Sequence, residues 1–360
     1  MKKILIYALS ENLGGVEEFV LNLSRYKKSN DHEYGYIILG DHSPYEDEMK
    51  RLGVEYYKIP KKRYIFKNIM ASYYLIKKLS KFYDLLYINT SSLGFIWVYI
   101  LAIKFKMKLV LHSHLDASKT SSNLKKIIHH IHYKMIKKYL KERFACSVPA
   151  GKWMFGKDQF SIIPNAINID RFKYNKKSRS KLREELHIEN YFVIGNIGRL
   201  TDFKNQIFLL KILRKLSDQK VKLLLVGDGE DKEMLIEKAR EFKIDDRVIF
   251  YGKTKHPEYI YSCIDCLVMP SKAEGFPITL VEAQASGLPC IVSNVITRET
   301  NITNNVTYLS IEENNLDQWI DAIKKSKNSR IFNGTKYLEN KGYNVYNLET
   351  LIWERLKKYE

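Results

Sequence analysis

The chain has 360 residues, 45% of them hydrophobic, and carries 60 Lys and Arg against 41 Asp and Glu, a net charge of +19. This length favours two domains of about 150–200 residues, and the hydrophobic content excludes a largely disordered protein. Residues 1–163 hold +14 of the net charge, so an anionic partner of the first half has to be considered.

Apolar strand-like segments alternate with helical patterns along the whole chain, and the segment 163–173 separates two such series. This alternation is typical of parallel sheets with helices on both faces. We therefore predict an α/β protein with two doubly wound, Rossmann-like domains, residues 1–163 and 164–342, followed by a terminal helical segment, 343–360. The predicted strands are residues 3–8, 34–39, 54–59, 85–89, 108–113, 143–147, 160–164, 191–198, 222–227, 247–252, 265–270 and 289–294.

The sequence gives no sign of a targeting or membrane-spanning segment. The apolar run of residues 4–9 is shorter than the core of a signal peptide, about 7–15 residues, and lacks a cleavage site. The longest apolar run, residues 93–103, has 11 residues, whereas about 17–25 are needed to span a bilayer. We predict a buried helix at 93–103 and a cytoplasmic protein.

The four cysteines are predicted to be reduced core residues rather than metal ligands. Cys263 and Cys266 have the C-x-x-C spacing of zinc and redox sites, but no second pair or nearby His completes a metal set. Free Cys readily behaves as a small hydrophobe. The absence of a disulfide framework fits a reducing compartment.

Residues 61–84 and 119–144 are basic, with seven and eight Lys and Arg and one acid each. Both have apolar residues at helical spacing. Such a helix can lie on an anionic membrane surface, which we favour, or its apolar stripe can pack on its own sheet. No nucleic-acid-binding signature accompanies the charge, so we expect no nucleic acid partner. The stripes are Phe66, Ile69, Tyr73, Ile76, Leu79 and Tyr83 in the first segment and Leu124, Ile128, Ile131, Met135 and Tyr139 in the second.

Ligands of open parallel sheets bind beyond the C-terminal ends of the strands. Gly14 and Gly15 follow the first strand and open a helix, where backbone can approach an anion, although a tight turn explains them equally well. Arg199 and Lys204 follow the strand at 191–198, in a loop and at the start of a helix. They could hold a diphosphate or form a surface salt bridge.

Residues 271–294 place Glu274 and Glu282 on either side of a predicted helix start. If Pro277 is the first helical residue, the amides that follow it point at an anion. Glu274 then lies in the preceding loop and Glu282 about one and a half turns inside the helix, so both can face one ligand. We predict a nucleotide-sugar site here; a chance pair is the alternative. The residues assigned to the helix start are Gly275, Phe276, Pro277, Ile278, Thr279 and Leu280.

Five segments, in this order, resemble those of family 4 glycosyltransferases of the GT-B fold, in particular bacterial members that build capsular and exopolysaccharides. The resemblance covers nearly the whole chain. One departure is Ala166, which stands where the family usually has Gly. The segments are GGVEEFVLNL (14–23), HSH (112–114), PNAINIDRF (164–172), GRLTDFKNQ (198–206) and SKAEGFPITLVEAQASGLPCIVS (271–293).

The resemblance implies two domains facing across a cleft, with residues 343–360 returning to the first domain. It implies transfer of a hexosyl unit from a nucleotide-diphosphate sugar, by default UDP-linked, with GDP-mannose possible. The anomeric configuration would be retained, and neither metal nor cofactor would be needed. The implied acceptor is a polyprenyl-diphosphate-linked saccharide at the inner face of the membrane, so the protein would be peripheral there.

The resemblance also assigns roles in the second domain. Arg199 and Lys204 would neutralise the diphosphate, together with backbone amides of residues 276–280. Glu274 would bind hydroxyls of the donor sugar, and Glu282 would accept hydrogen bonds from the ribose.

In the first domain, Gly14 and Gly15 would let a loop approach the donor phosphate and the acceptor. His114 would lie near the reacting sugar, or else His112, because strand alternation puts both on the same face. Two other functions stay open: a sugar-nucleotide epimerase of the same architecture, against which the 271–293 segment argues, and a basic nucleic-acid-binding protein, which leaves that segment unexplained.

Overall fold

The computed structural model describes residues 2–11, 14–115, 121–274 and 276–359. The chain divides into two compact units, a first domain of Met1–Ala166 with Val345–Glu360 and a second domain of Ile167–Asn344. The boundaries predicted after residues 163 and 342 lie three and two residues before these.

Each domain is built on one parallel sheet. The strand order is β3-β2-β1-β4-β5-β6-β7 in the first domain and β10-β9-β8-β11-β12-β13 in the second. The predicted α/β fold with two doubly wound sheets is therefore confirmed. The strands are β1 Lys2–Ser10, β2 His32–Leu39, β3 Glu55–Ile59, β4 Leu85–Thr90, β5 Lys108–Ser113, β6 Leu140–Ala145, β7 Ser161–Ile162, β8 Phe192–Ile197, β9 Val221–Val226, β10 Val248–Gly252, β11 Cys266–Met269, β12 Cys290–Ser293 and β13 Val306–Leu309.

Helices cover both faces of each sheet, which is why the strands are apolar on both faces. Crossovers between parallel strands are right-handed, so α3, α4 and α5 lie on one face of the first sheet and α1 and α2 on the other. The helices are α1 Gly15–Arg25, α2 Glu46–Arg51, α3 Ile65–Leu79, α4 Trp97–Lys104, α5 Asn123–Ile136, α6 Val148–Phe155, α7 Lys176–Glu185, α8 Gln206–Lys215, α9 Lys232–Glu241, α10 Pro257–Cys263, α11 Ile278–Ala285, α12 Leu316–Lys325, α13 Gly334–Asn340 and α14 Val345–Leu356.

The C-terminal helix α14 completes the core of the first domain. Its apolar residues join the cluster that includes Phe19 of α1 and Tyr36 of β2. A buried His32 stacks on Trp353 with ring centroids 4.1 Å apart, and its Nε2 lies 2.8 Å from Glu349 Oε1. The terminal segment therefore belongs to the first domain.

The basic helix α5 leaves its predicted apolar stripe largely exposed, whereas the stripe predicted for residues 61–84 is covered except at Phe66. In α3, Ile76 and Leu79 are buried, but Phe66 is 84% exposed; in α5, Leu124 is 67% exposed. The interpretation that the stripe of residues 119–144 packs on its own sheet is therefore wrong. We call the following side chains the exposed apolar faces: Phe66, Met70 and Tyr74 on α3, and Leu124, Ile127, Ile131 and Met135 on α5.

Two smaller predictions concern buried residues. The helix predicted at 93–103 is α4, which begins at Trp97 and buries Val98, Tyr99, Leu101 and Ala102. All four cysteines are free and buried, as predicted. Among the helices of the described residues, none is long and apolar enough to cross a bilayer.

Candidate active site

Lys204 lies in the loop between β8 and α8, two residues before the helix rather than at its start. Asn205 caps α8 in the left-handed conformation, with φ of 58°. Its Nδ2 donates to Pro270 O at 3.1 Å, and the amide of Lys272 donates to Phe203 O at 2.8 Å. These bonds tie the loop after β8 to the loop after β11.

The tie between the loops brings Lys204 and Glu274 together, although they are 70 residues apart in sequence. Lys204 Nζ forms an ion pair with Glu274 Oε1, which also accepts from Ser271 Oγ at 3.2 Å. Both side chains are mostly buried, with exposures of 26% and 13%. Two residues assigned to one ligand are thus in direct contact.

Arg199 lies at the open end of the same loop. Its Nη2 is 3.1 Å from Glu230 Oε2, and the Arg199 side chain is 72% exposed. This pair is the surface salt bridge that the sequence analysis gave as the alternative to diphosphate binding. The backbone beneath it is fixed, because Gln206 Nε2 donates to Arg199 O at 3.0 Å.

Gly229, which the sequence did not single out as a site residue, supports the Arg199 loop. A Cβ on Gly229 would lie 2.1 Å from Leu200 O, closer than any real contact. A larger residue there would displace the loop that carries Arg199.

The helix after Glu274 begins one residue later than predicted. Pro277 has an extended conformation, with ψ of 117°, and stands before the first helical residue, Ile278. The amide of Leu280 donates to Pro277 O at 3.1 Å, so the prediction that it points at an anion is wrong. Ile278 and Thr279 keep that assignment. Phe276 is buried and stacks on Tyr343, and Gly275 lies outside the described residues.

Glu282 is the fifth residue of α11, as the predicted register requires. One of its oxygens, Oε2, accepts a hydrogen bond of 2.6 Å from Tyr261 Oη. Tyr261 is fully buried on α10. Its hydroxyl cannot be recognised as a site group from sequence, since it lies within an ordinary helical pattern.

In the first domain, Gly14 caps α1 and Gly15 opens it, as predicted. A Cβ on Gly14 would lie 2.5 Å from Glu17 Oε2. Because that atom is the end of a flexible side chain, the contact alone does not require a glycine at position 14.

His112 is the fifth residue of β5 and His114 follows the end of that strand; they lie on the same face of the sheet, with stacked rings 4.1 Å apart. His112 is fully buried, and its Nδ1 is 2.7 Å from Tyr87 Oη. His114 is 8% exposed, and its Nε2 is 2.8 Å from Asn89 Oδ1.

Burial sets the charge state of both histidines. Burial lowers the pKa of His112 well below its usual value and that of His114 to about 3, against a smaller raising effect of Asn165 on His114. Both rings are therefore neutral near pH 7 and act as hydrogen-bonding groups rather than cations.

The histidines of α5 hold the loop before α4. His129 Nδ1 accepts from the amide of Leu93 at 3.1 Å, and His132 Nδ1 is 2.5 Å from Leu93 O. In the parts of the chain described above, no group of three or more His, Cys, Asp or Glu side chains is placed to hold a metal ion.

The chain is similar to known glycosyltransferases. Residues 178–345 match the family described as "Glycosyl transferases group 1". Over 341 residues the chain is 28% identical to the putative glycosyltransferase EpsF of Bacillus subtilis (strain 168), covering 90% of this chain and 88% of that protein. Over 198 residues it is 27% identical to an Escherichia coli UDP-Gal:alpha-D-GlcNAc-diphosphoundecaprenol alpha-1,3-galactosyltransferase, covering 53% of this chain and 51% of that protein.

The structure is also similar to that of Anabaena HepE in complex with UDP-glucose. The TM-score is 0.83 at 19% sequence identity, and the match covers 99% of this chain and 100% of the other. The fold is GT-B, and the resemblance found in the sequence is confirmed. The second domain is a group 1 glycosyltransferase domain, and the chain is a glycosyltransferase.

Proposed function

We propose that the chain moves a hexosyl unit from a UDP-linked sugar to a lipid-linked saccharide, with retention at the anomeric carbon, in capsular or exopolysaccharide biosynthesis. The observation that carries this proposal is the contact between Lys204 and Glu274 beside the start of α11. It puts a cation for a phosphate and a carboxylate for sugar hydroxyls at the same end of one sheet, where ligands of such sheets bind.

Departure of the sugar leaves negative charge on the diphosphate. Lys204, Arg199 and the amides of Ile278 and Thr279 are the groups that would take up that charge, as preorganised donors do in other enzymes. A transferase with such groups needs no divalent cation for this step, and we propose that the reaction requires none.

The remaining roles follow the same assignment. Glu274 would accept hydrogen bonds from hydroxyls of the donor sugar and Glu282 from the ribose. In the first domain, His114 would contact the reacting sugar, because it retains some exposure while His112 has none. Gly14 and Gly15 would bring the backbone close to the donor and acceptor.

Two similar proteins support the substrate classes. The HepE structure contains UDP-glucose. The name of the Escherichia coli enzyme gives a UDP-linked sugar as donor and a diphosphoundecaprenol-linked sugar as acceptor. A lipid-linked acceptor would place this enzyme at the inner membrane surface.

A panel of nucleotides tests the donor assignment. We expect one UDP-linked hexose, at a hundredfold excess over its Kd, to stabilise the chain by about 2.7 kcal/mol in thermal unfolding, because it binds only the folded state. With a saccharide acceptor present, UDP release should continue in EDTA. Turnover that stops with chelator and returns with magnesium would contradict the proposed metal independence, and an altered nucleotide sugar released without acceptor would indicate an epimerase.

The exposed apolar faces of α3 and α5 support contact with an anionic membrane. They lie on helices of the same face of the sheet, and Lys67, Lys77, Lys125 and Lys134 beside them are exposed. Apolar side chains flanked by lysines suit the boundary between acyl chains and anionic headgroups.

Vesicle flotation tests this contact. The chain should float with vesicles containing anionic lipid and much less with neutral ones. Changing Phe66 and Leu124 together to Ser should lower the partition coefficient by about 100-fold or more, since two buried side chains of this size together contribute about 3–6 kcal/mol. Phe332→Ser, at an exposed phenylalanine of the second domain, is the control. Equal recovery with neutral vesicles, or no loss in the double variant, would contradict membrane docking by this surface.

A further inference from the structure

Tyr261 contacts the carboxylate proposed to bind the ribose. It belongs to α10, whereas Glu282 belongs to α11, and its Oη donates to Glu282 Oε2 at 2.6 Å. A fully buried hydroxyl needs an acceptor, and this carboxylate supplies one. The bond therefore fixes two helices relative to each other at the candidate nucleotide site.

Both the ring and the backbone carbonyl of Tyr261 make further contacts that hold it in place. The ring of Phe172 packs edge-on against it, with centroids 5.7 Å apart. The backbone carbonyl of Tyr261 accepts from Ser286 Oγ at 3.3 Å and Arg330 Nη2 at 3.2 Å. Burial, followed by the nearby Glu282 carboxylate, raises the pKa of Tyr261 well above its usual value, so the hydroxyl remains a donor.

Arg330 is itself fixed by the end of α10 and the end of α11. Its Nη2 also donates to Ile264 O at 2.5 Å, and its Nη1 donates to Ser286 O at 2.7 Å. The backbone of Tyr261 is thus anchored to the ends of both helices, and its ring packs against Phe172.

A glutamate carboxylate can rotate about three side-chain torsions, and each orientation presents different lone pairs. With Oε2 held by Tyr261, the plane of the Glu282 carboxylate is set before a nucleotide binds. A carboxylate has about four acceptor positions, so it can accept from ribose hydroxyls while keeping the tyrosine bond. Groups oriented in advance bind with a smaller entropic cost.

We propose that Tyr261 is a positioning residue that directs Glu282 at the ribose hydroxyls and thereby sets the preference for ribonucleotides over deoxyribonucleotides. This inference rests on the proposed function, in which Glu282 accepts from the ribose. Tyr261 itself need not touch the nucleotide.

Calorimetric titration of the full chain tests the inference. The probe is the nucleoside diphosphate that binds most tightly among UDP, GDP and ADP, compared with its 2′-deoxy and 3′-deoxy forms. Wild type should prefer the ribose form over at least one of them by about 10- to 100-fold, as expected for hydrogen bonds to a charged group. Tyr261→Phe should reduce that ratio at least fivefold, while its affinity for the deoxynucleotides stays within about twofold of wild type. The reason is that only the orientation of the Glu282 carboxylate changes.

Three further variants, Tyr259→Phe, Glu282→Asp and Glu282→Ala, make the result decisive. Tyr259→Phe, an exposed tyrosine of the same helix, should keep the wild-type ratio. Glu282→Asp withdraws the carboxylate from Tyr261 by one methylene, so it should also lose the preference for the ribose form. This variant replaces Tyr261→Phe if the latter does not fold.

If Tyr261→Phe keeps the wild-type ratio of ribose-form to deoxy-form affinity, the role of Tyr261 is overturned. If Tyr261→Phe does not fold, an unchanged ratio in Glu282→Asp overturns it. If Glu282→Ala still loses the ratio in that case, the assignment of Glu282 to the ribose stands. Two results would overturn the assignment of Glu282 to the ribose, and the present inference with it. One is equal affinity of the wild type for the ribose, 2′-deoxy and 3′-deoxy forms of the nucleotide. The other is a wild-type ratio of ribose-form to deoxy-form affinity in Glu282→Ala.

Discussion

Lys204→Ala is expected to lower kcat/KM for the nucleotide sugar by about 100- to 1000-fold, the usual loss when one preorganised group that stabilises transition-state charge is removed. The affinity for UDP should fall as well, because the lysine would bind the diphosphate both in the transition state and in the complex with UDP. The chain should still fold with a modest loss of stability, because Glu274 loses a cation that is 26% exposed but keeps the hydrogen bond from Ser271 Oγ. Steady-state kinetics, UDP titration and thermal unfolding measure the three quantities.

Lys272→Ala is the matched control. Lys272 lies on the neighbouring loop and pairs with Asp202, and its side chain is 42% exposed. This variant removes the same charge from the same end of the sheet and should keep kcat/KM within about threefold of wild type. Equal losses of kcat/KM in the two variants would mean that any positive charge at this end of the sheet has the same effect. Full activity of Lys204→Ala would contradict the assignment of Lys204 to the diphosphate.

Glu274→Gln should separate turnover from nucleotide binding. Its carboxylate is assigned to the donor sugar, so turnover should fall by about 100-fold or more. UDP lacks the donor hexose that Glu274 is assigned to bind, and the negative charge of Glu274 competes with the diphosphate for Lys204. Removing that charge should therefore leave UDP affinity unchanged or raise it. Titration with UDP and steady-state kinetics on the same preparation check both expectations.

Glu230→Gln serves as the control for that result. Glu230 is 58% exposed and pairs with Arg199, so this variant also releases a cation of the same loop but removes no group assigned to the sugar. It should retain turnover. A parallel fall of UDP affinity and turnover in Glu274→Gln would place this carboxylate at the nucleotide and not at the sugar.

The fold could be predicted from sequence because its signal is local. Strands such as Lys108–Ser113 are apolar runs between helical patterns, and buried parallel strands need little else. The strand Val306–Leu309 was missed, since four residues beside several asparagines give no recognisable period. The exposed face of α3 was partly missed for another reason: helical spacing identifies a stripe but not whether it meets the sheet or solvent.

The site was predicted less completely, because its contacts join distant segments. The motifs located Arg199, Lys204, Glu274 and Glu282, but the ion pair of Lys204 with Glu274 depends on two loops held by Asn205. No spacing in the sequence records that contact. The same holds for Tyr261, a hydroxyl among the 25 tyrosines of the chain, whose bond to Glu282 becomes visible only when α10 and α11 are placed.

Helix α14 also has a consequence for the making of the protein. Its apolar residues pack against α1 and β2, yet they are translated after the whole of Ile167–Asn344. At about 5–20 residues per second, a ribosome needs about 10–35 s to add that insertion. During this time the nascent first domain exposes the surface that Ile352 and Leu356 later cover, while the second domain can already fold. The first domain, although translated first, is thus the later one to complete its core.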